Sequence, residues 1–274
     1  MKKIIIASFA AMCSLFATAQ ISHEFLAHVG CGMSTINYKL SSGKKTPGFD
    51  GEFGVGYICH FGEMAGIYAG IDFSFYHSGA TLDGTQVVTE NLTDNEGDRF
   101  HLYTTLNTYK ERQKVTFLNI PVMALFQTKQ THKFYAMGGV KIGIPLSCLY
   151  EAKDATITNE AYYPAYDNWL REQEFAGYGR FEYVESAGRQ KYTVSAALAL
   201  ETGMKWKLGK MVALYTGIYF DCGLNNIAKK SDRSFVNYTP YNPAAFTVNS
   251  ALVSAADKIN VIAVGVKVRL ALIK

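Results

Sequence analysis

The sequence predicts an all-β fold, an eight-stranded antiparallel up-and-down transmembrane β-barrel with short turns at one end and long loops at the other. Three observations carry this. Strand-like segments are joined by connections that alternate in length, four segments followed in full keep one face free of charge, and aromatic residues bracket that face at a membrane-like spacing.

At the N-terminus, Lys2 and Lys3 precede an apolar run from Ile4 to Phe16, then Ala17-Thr18-Ala19. A basic region, an apolar segment and an A-x-A site make a secretory signal over 1–19, leaving 20–274 as the barrel. Cys13 raises a lipoprotein signal as a rival, but bulky Met12 before it and the shortened apolar run argue for ordinary cleavage after Ala19. No later segment offers the ~18 apolar residues of a membrane helix.

The strands follow in order at roughly 23–40, 49–61, 64–77, 114–127, 133–149, 191–208, 211–224 and 258–272. Short breaks lie at Gly62-Glu63-Met64, Thr128 to Thr131 and Gly209-Lys210. Long ones lie at Ser41 to Pro47, Ser78 to Gln113, Tyr150 to Gln190 and Asn225 to Ala256. In an up-and-down sheet, odd and even connections fall at opposite ends. Short turns at one end and long loops at the other are therefore the periplasmic and extracellular ends of an outer-membrane barrel.

Side-chain parity assigns the faces. The fifth strand sets Phe134, Ala136, Val140, Ile142, Ile144 and Leu146 against Lys133, Tyr135 and Lys141. The sixth sets Tyr192, Val194, Leu198, Leu200, Met204 and Trp206 against Ser195, Glu201, Lys205 and Lys207. The seventh and eighth repeat the pattern, with Asp221, Lys267 and Arg269 on their polar faces. A soluble lipocalin-like barrel would put the apolar face inside. The polar face, rich in Gly, Ala, Ser and Tyr, suits a narrow filled lumen better. Phe49 and Phe61 lie twelve residues apart, about 40 Å along a strand and roughly 28 Å across a layer it crosses at ~45°. Outer-membrane lipid is therefore the expected partner of the apolar face.

In the fourth strand Val115 and Phe117 share odd parity whereas Val122, Ala124 and Phe126 are even, and Pro121 lies between. Proline has no N–H for the ladder, and a one-residue bulge near Asn119–Pro121 is the expected explanation.

The lumen face collects Glu52, Asp72, Lys141, Glu201, Lys205, Asp221, Lys267 and Arg269. Buried charges need partners, so an ion-pair network filling a narrow barrel is expected, with a proton relay or ion path as the alternative. The third long loop holds Tyr162, Tyr163, Tyr166, Trp169, Arg171, Phe175 and Tyr178. Aromatics with Arg suit a surface-binding loop for an unknown extracellular ligand; packing of the loop on itself is the alternative. His77 and His101, with Asp83, Asp94 and Asp98, are the nearest approach to a rim hydrolase, and form no constellation. Neither a cofactor nor a metal is expected. Cys31, Cys59, Cys148 and Cys222 lack metal-ligand spacing and are expected as free thiols on the apolar face, with a Cys31–Cys59 bridge as the alternative. Charged residues form 18% of the chain and the net charge is +4. No basic cluster interleaved with aromatics points to nucleic acid.

The stretches "VGCGMSTINYKL", "FLNIPVMALFQT", "KFYAMGGVKIGIPL", "YYPAYDNW", "QEF" and "KWKL…YTGIYFDCGLNNI" resemble the outer-membrane β-barrel proteins of Bacteroidota, of the PorT-like and OmpA-like barrel type. The resemblance implies an outer-membrane location and assembly by periplasmic chaperones and the barrel-assembly machinery. For many relatives no activity is known. Gly265, Val268 and Leu270 match the terminal-strand signature read by that machinery, while Ala263 and Lys274 depart from it. The expected role is structural or surface interaction without catalysis. The alternatives are solute binding or transport, a secretion accessory, and a rim hydrolase.

Overall fold

The computed structural model describes residues 21–38, 43–130, 132–228, 234–252 and 258–274. The expected signal peptide, with Cys13, lies outside them. The strands are β1 (Ile21–Tyr38), β2 (Lys44–Phe61), β3 (Ala65–Thr81), β4 (Thr85–Thr93), β5 (Arg99–Thr108), β6 (Lys110–Gln127) and β7 (Lys133–Tyr163). There follow β8 (Asn168–Leu170), β9 (Gly179–Arg189), β10 (Ser195–Lys207), β11 (Val212–Gly223), β12 (Val236–Asn237), β13 (Thr247–Val248) and β14 (Ile259–Ile273).

All pairings are antiparallel, and the path β10-β11-β14-β1-β2-β3-β6-β7 returns to its start through pairing of β7 with β10. Sheet twist makes such a return natural, and it leaves those strands no free edge. β5 and β9 pair the distal part of β7, β4 extends β5, and β8 pairs the end of β7. The main sheet thus holds twelve strands where the sequence reading counts eight. The surplus comes from segments read as loops. The stretch 78–113 contributes β4, β5 and the ends of β3 and β6, and 150–190 contributes the upper half of β7 with β8 and β9.

Two environments explain this. Around the lower part of the ring the outward face is apolar and exposed: Phe25, Val29, Val55, Ile71, Val122, Val140, Leu198, Ile218 and Val266 all point away from the interior. Water-exposed apolar surface on this scale needs a cover, and the arrangement is the inverse of a lipocalin's. Higher up the rule flips. Leu102, Leu106, Ile157 and Ala161 are buried while their neighbours Thr105, Thr158 and Tyr162 are only half-buried. That is the alternation of a sheet with one solvated face. These residues join Phe100, Tyr163, Tyr178, Phe235 and Val248 in a second apolar core above the barrel.

β6 corrects the expected bulge. Its burial alternates without a break from Lys110 to Gln127, and Val115 and Phe117 point inward, Phe117 against Tyr76. The β3–β6 ladder skips Gly70-Ile71 opposite Ile120-Pro121 without changing register, the local mark of a residue lacking an N–H. The register shift lies instead on β7, where Thr116 pairs Ser147 but Phe117 pairs Pro145. The extra residue, Leu146, inverts parity above it, so Cys148 turns inward and is buried rather than lying on the apolar face. Cys31, Cys59 and Cys222 are free, and Cys31 sits opposite Gly51 rather than Cys59. Tyr192 precedes β10 and is buried, donating its hydroxyl to Gln113, so it does not share the exposed apolar face on which the sequence reading set it with Val194.

Candidate functional site

The interior is built from inward positions of the ring strands. Even positions on β1, β2 and β3 bring Glu24, His28, Asp50, Glu52, His60, Tyr68, Asp72 and Ser74 inside. Odd positions on β7, β10, β11 and β14 bring Tyr135, Lys141, Glu201, Lys205, Tyr215, Tyr219, Asp221, Lys267 and Arg269. All eight charged residues read from the sequence are buried there.

Six of them form one chain of contacts. Lys141 lies between Asp221 and Glu52, at 3.3 Å from the latter. Lys267 bridges Glu52 and Glu201, reaching Glu201 at 3.5 Å. Arg269 grips Glu201 through two N–H groups, Nε donating at 2.9 Å, and Tyr135 donates to the same carboxylate at 2.8 Å. Asp72 joins through His28, whose Nε2 lies 3.1 Å away and whose Nδ1 faces Arg269 at 3.4 Å. Lys205 stands apart near the short-turn end on Glu24, which also accepts from Tyr215 at 2.6 Å and faces His60 Nε2 at 2.9 Å.

Glu24, Asp50 and His60 are not among the sequence candidates, yet Asp50 and His60 share parity with Glu52, read as inward, and Glu24 shares it with His28 on the same strand. That parity is the available signal. Asp50 accepts the Tyr219 hydroxyl. Tyrosine faces shield the cations: Arg269 lies 4.5 Å from the Tyr68 ring centre, and Lys205 and Lys267 each lie 4.9 Å from those of Tyr215 and Tyr219. The rings fit because glycine faces them. A Cβ on Gly56 would come within 2.3 Å of the Tyr68 ring, and one on Gly217 within 2.3 Å of the Tyr135 hydroxyl.

A cavity of about 330 Å³ opens at the short-turn end, lined by Glu24, His60, Glu63, Lys133, Lys205 and Lys207 among others. At the opposite end Glu111 is buried and accepts from Tyr109 (3.2 Å), Gln113 (2.9 Å), Ser250, the Ala251 N–H (3.0 Å) and the Leu252 N–H (3.5 Å). One carboxylate thus pins residues 250–252 to the upper inner wall.

The structure divides the aromatic loop residues. Tyr163 and Tyr178 are buried and share a 3.0 Å hydrogen bond, with Phe100 stacked on Tyr163 and Asp94 accepting from Tyr163 at 3.0 Å. Trp169 is exposed and packs at a tilt against Tyr103 and Tyr162, both with ring centres at 4.9 Å, with the Arg171 guanidinium 5.6 Å from its ring centre. Tyr166 and Phe175 are well exposed, Tyr166 donating to Asp98 at 2.9 Å. The histidines and aspartates weighed for hydrolysis have local structural partners. His77 contacts the Phe49 carbonyl, His101 accepts the Asn91 N–H, and Asp83 accepts the Tyr109 N–H. Among the described residues there is no cluster of three His, Cys, Asp or Glu side chains able to hold a metal.

No curated protein matches the chain. Solved structures similar to it include neisserial surface protein A (13% identity, 91% of this chain and 97% of that one, TM-score 0.32). Others are a major outer membrane protein of Thermus thermophilus (10%, 92% and 99%, TM-score 0.35) and Ail, the attachment invasion locus protein of Yersinia pestis (8%, 92% and 98%, TM-score 0.27). These scores are low, and the assignment rests on a family model that matches residues 18–229. Matched over most of its length by the outer membrane protein beta-barrel domain, the chain belongs to that family of outer-membrane proteins.

Proposed function

We propose that the protein is a small closed outer-membrane barrel with a structural or surface-interaction role and no catalytic activity. In this reading the eight ring strands cross the membrane, while β4, β5, β8, β9 and the distal part of β7 stand outside the cell. The observation that carries it is the interior: Glu52, Lys141, Asp221, Lys267, Glu201 and Arg269 are joined in one buried network. An eight-stranded barrel is only wide enough for its own side chains. Ions that have given up water for fixed partners fill such a space rather than conduct through it. The Trp169, Tyr162, Tyr103 and Arg171 cluster supports the surface role, because a partly exposed aromatic cluster beside Arg suits a binding surface.

The Bacteroidota PorT-like and OmpA-like resemblance agrees with this reading, with export by residues 1–19 and assembly by periplasmic chaperones and the barrel-assembly machinery. A secretion role is not carried over from it. Planar-bilayer recordings test the proposal: no stable conductance steps are expected, and discrete long-lived channels would overturn it. The cavity at the short-turn end, with three lysines on its wall, favours solute binding as a second reading. A small anion taken up there in a Lys207-dependent way would support that reading. A hydrolase is tested by lipid A and peptide profiles, which should be unchanged in a deletion strain.

A further inference from the structure

Beyond the lumen and the aromatic loop, one cluster of exposed cations forms no ion pair among the described residues. On the outward face of β6, Arg112 and Lys114 are exposed two residues apart. Register sets Lys114 beside Leu149 of β7 and Leu149 beside Arg189 of β9, while Arg112 sits beside Glu151. Three adjacent strands therefore present a row of cation, leucine and cation, with a further arginine above. Lys114 and Arg189 stand two strand spacings apart, roughly 10 Å. The residues line a groove of about 460 Å³. Glu151, the acid in this groove, is engaged by Lys153 at 2.9 Å. Among the described residues no carboxylate lies within ion-pair distance of Arg112, Lys114 or Arg189.

Height makes the groove specific. Phe126 marks the short-turn end of the apolar face of β6, and Lys114 is twelve residues above it. That is ~40 Å along the strand and roughly 28 Å across the layer, just above an apolar band of ~25 Å. Directly below lie Leu146, Ile144 and Ile120, exposed and apolar. A ligand reaching both regions has an anionic head and hydrocarbon chains. Guanidinium and ammonium groups so spaced match phosphate oxygens.

We propose that this groove docks a phosphorylated lipid headgroup of the outward-facing leaflet, with its acyl chains lying on the apolar face below Leu149. The proposal rests on the membrane-spanning reading, which orients the rim. The test uses the full mature chain in neutral detergent, lipid A and phosphatase-treated lipid A as probes, and native mass spectrometry as the readout. Wild type should retain phosphorylated lipid A over the treated form. Arg112→Gln/Lys114→Gln/Arg189→Gln should weaken that retention by about a hundredfold, at roughly fivefold per surface cation. Equal retention of both lipids by wild type, or no loss in the variant, would overturn the proposal. So would displacement by millimolar inorganic phosphate, which would mark a site for free anions. Heat-dependent gel migration keeps the two readings apart. A variant that shifts on heating like wild type is a folded barrel, so its binding result bears on the groove alone. A wild type that stays soluble without detergent and shows no shift would remove the barrel reading and the groove with it.

Discussion

Replacing Lys141 with Met tests the interior directly. The ammonium group contacts Asp221 and Glu52, and all three side chains are buried. Glu52 keeps Lys267 as a partner, but Asp221 has no other ion-pair partner among the described residues. Methionine fills nearly the same length, so the packing change is small and the effect is electrostatic. Stranding one member of a buried pair costs about 3–5 kcal/mol. The double variant Lys141→Met/Asp221→Asn removes the stranded charge and should recover about half of that. The two positions would then show a coupling of at least about 2 kcal/mol, the cost of Asp221→Asn adding to it, well above the ~0.5 kcal/mol of independent sites. Urea unfolding in phospholipid vesicles, followed by Trp206 fluorescence, measures all four corners of the cycle. A single variant within ~0.5 kcal/mol of wild type, or strict additivity, would mean that water screens the pair. The filled-lumen reasoning would then fail.

Three further outcomes follow from the same structure. Glu111→Ala removes the carboxylate that accepts the Ala251 N–H, at about 1–3 kcal/mol for that donor stranded. Hydrogen exchange at Ala251 should accelerate at least ~10-fold while β14 stays protected; an unchanged rate would show that other contacts hold the segment. Gly217→Ala places a methyl where the Tyr135 hydroxyl sits, and overpacking of about 1–3 kcal/mol should lower the urea midpoint. A midpoint equal to wild type would show that the ring yields freely. In the upper core, burial foremost, with the Asp94 carboxylate adding to it, holds the Tyr163 hydroxyl up to about 12. The folded value lies above the unfolded one, near 10, so the protonated form is favoured in the fold. This contribution to stability is complete below pH ~10 and fades as pH rises towards 12. Tyrosinate absorbance should show a late component that Tyr163→Phe diminishes by one tyrosine's share, and a late component unchanged in the variant would contradict it.

Much of the barrel is legible from parity alone. Alternation with period two places Lys141, Glu201, Asp221, Lys267 and Arg269 on one side of their strands whatever their partners are, because successive Cβ atoms point to opposite faces. The same rule applied to β1 and β2 adds Glu24, Asp50 and His60. The paired strands outside the barrel are hidden because the solvent changes partway along each strand. In β7 the apolar face looks outward at Val140 and Ile142 and inward at Ile157 and Ala161, so a search for one continuous apolar face stops near Leu149. Parity fails at Pro121 for a related reason: Val115 and Phe117 are apolar and so read as lipid-facing, yet they face inward as part of the upper core.

The sequence by itself determined the periodicity, the short-turn and long-loop asymmetry and the composition of the inner face, since these depend on residues a few positions apart. Only the tertiary structure decided that Lys141 meets Asp221, eighty positions away, that Leu146 inverts the strand above it, and that Arg112, Lys114 and Arg189 share one groove. Those outcomes depend on register between strands and on which solvent each height meets, and neither is written in any local run of residues.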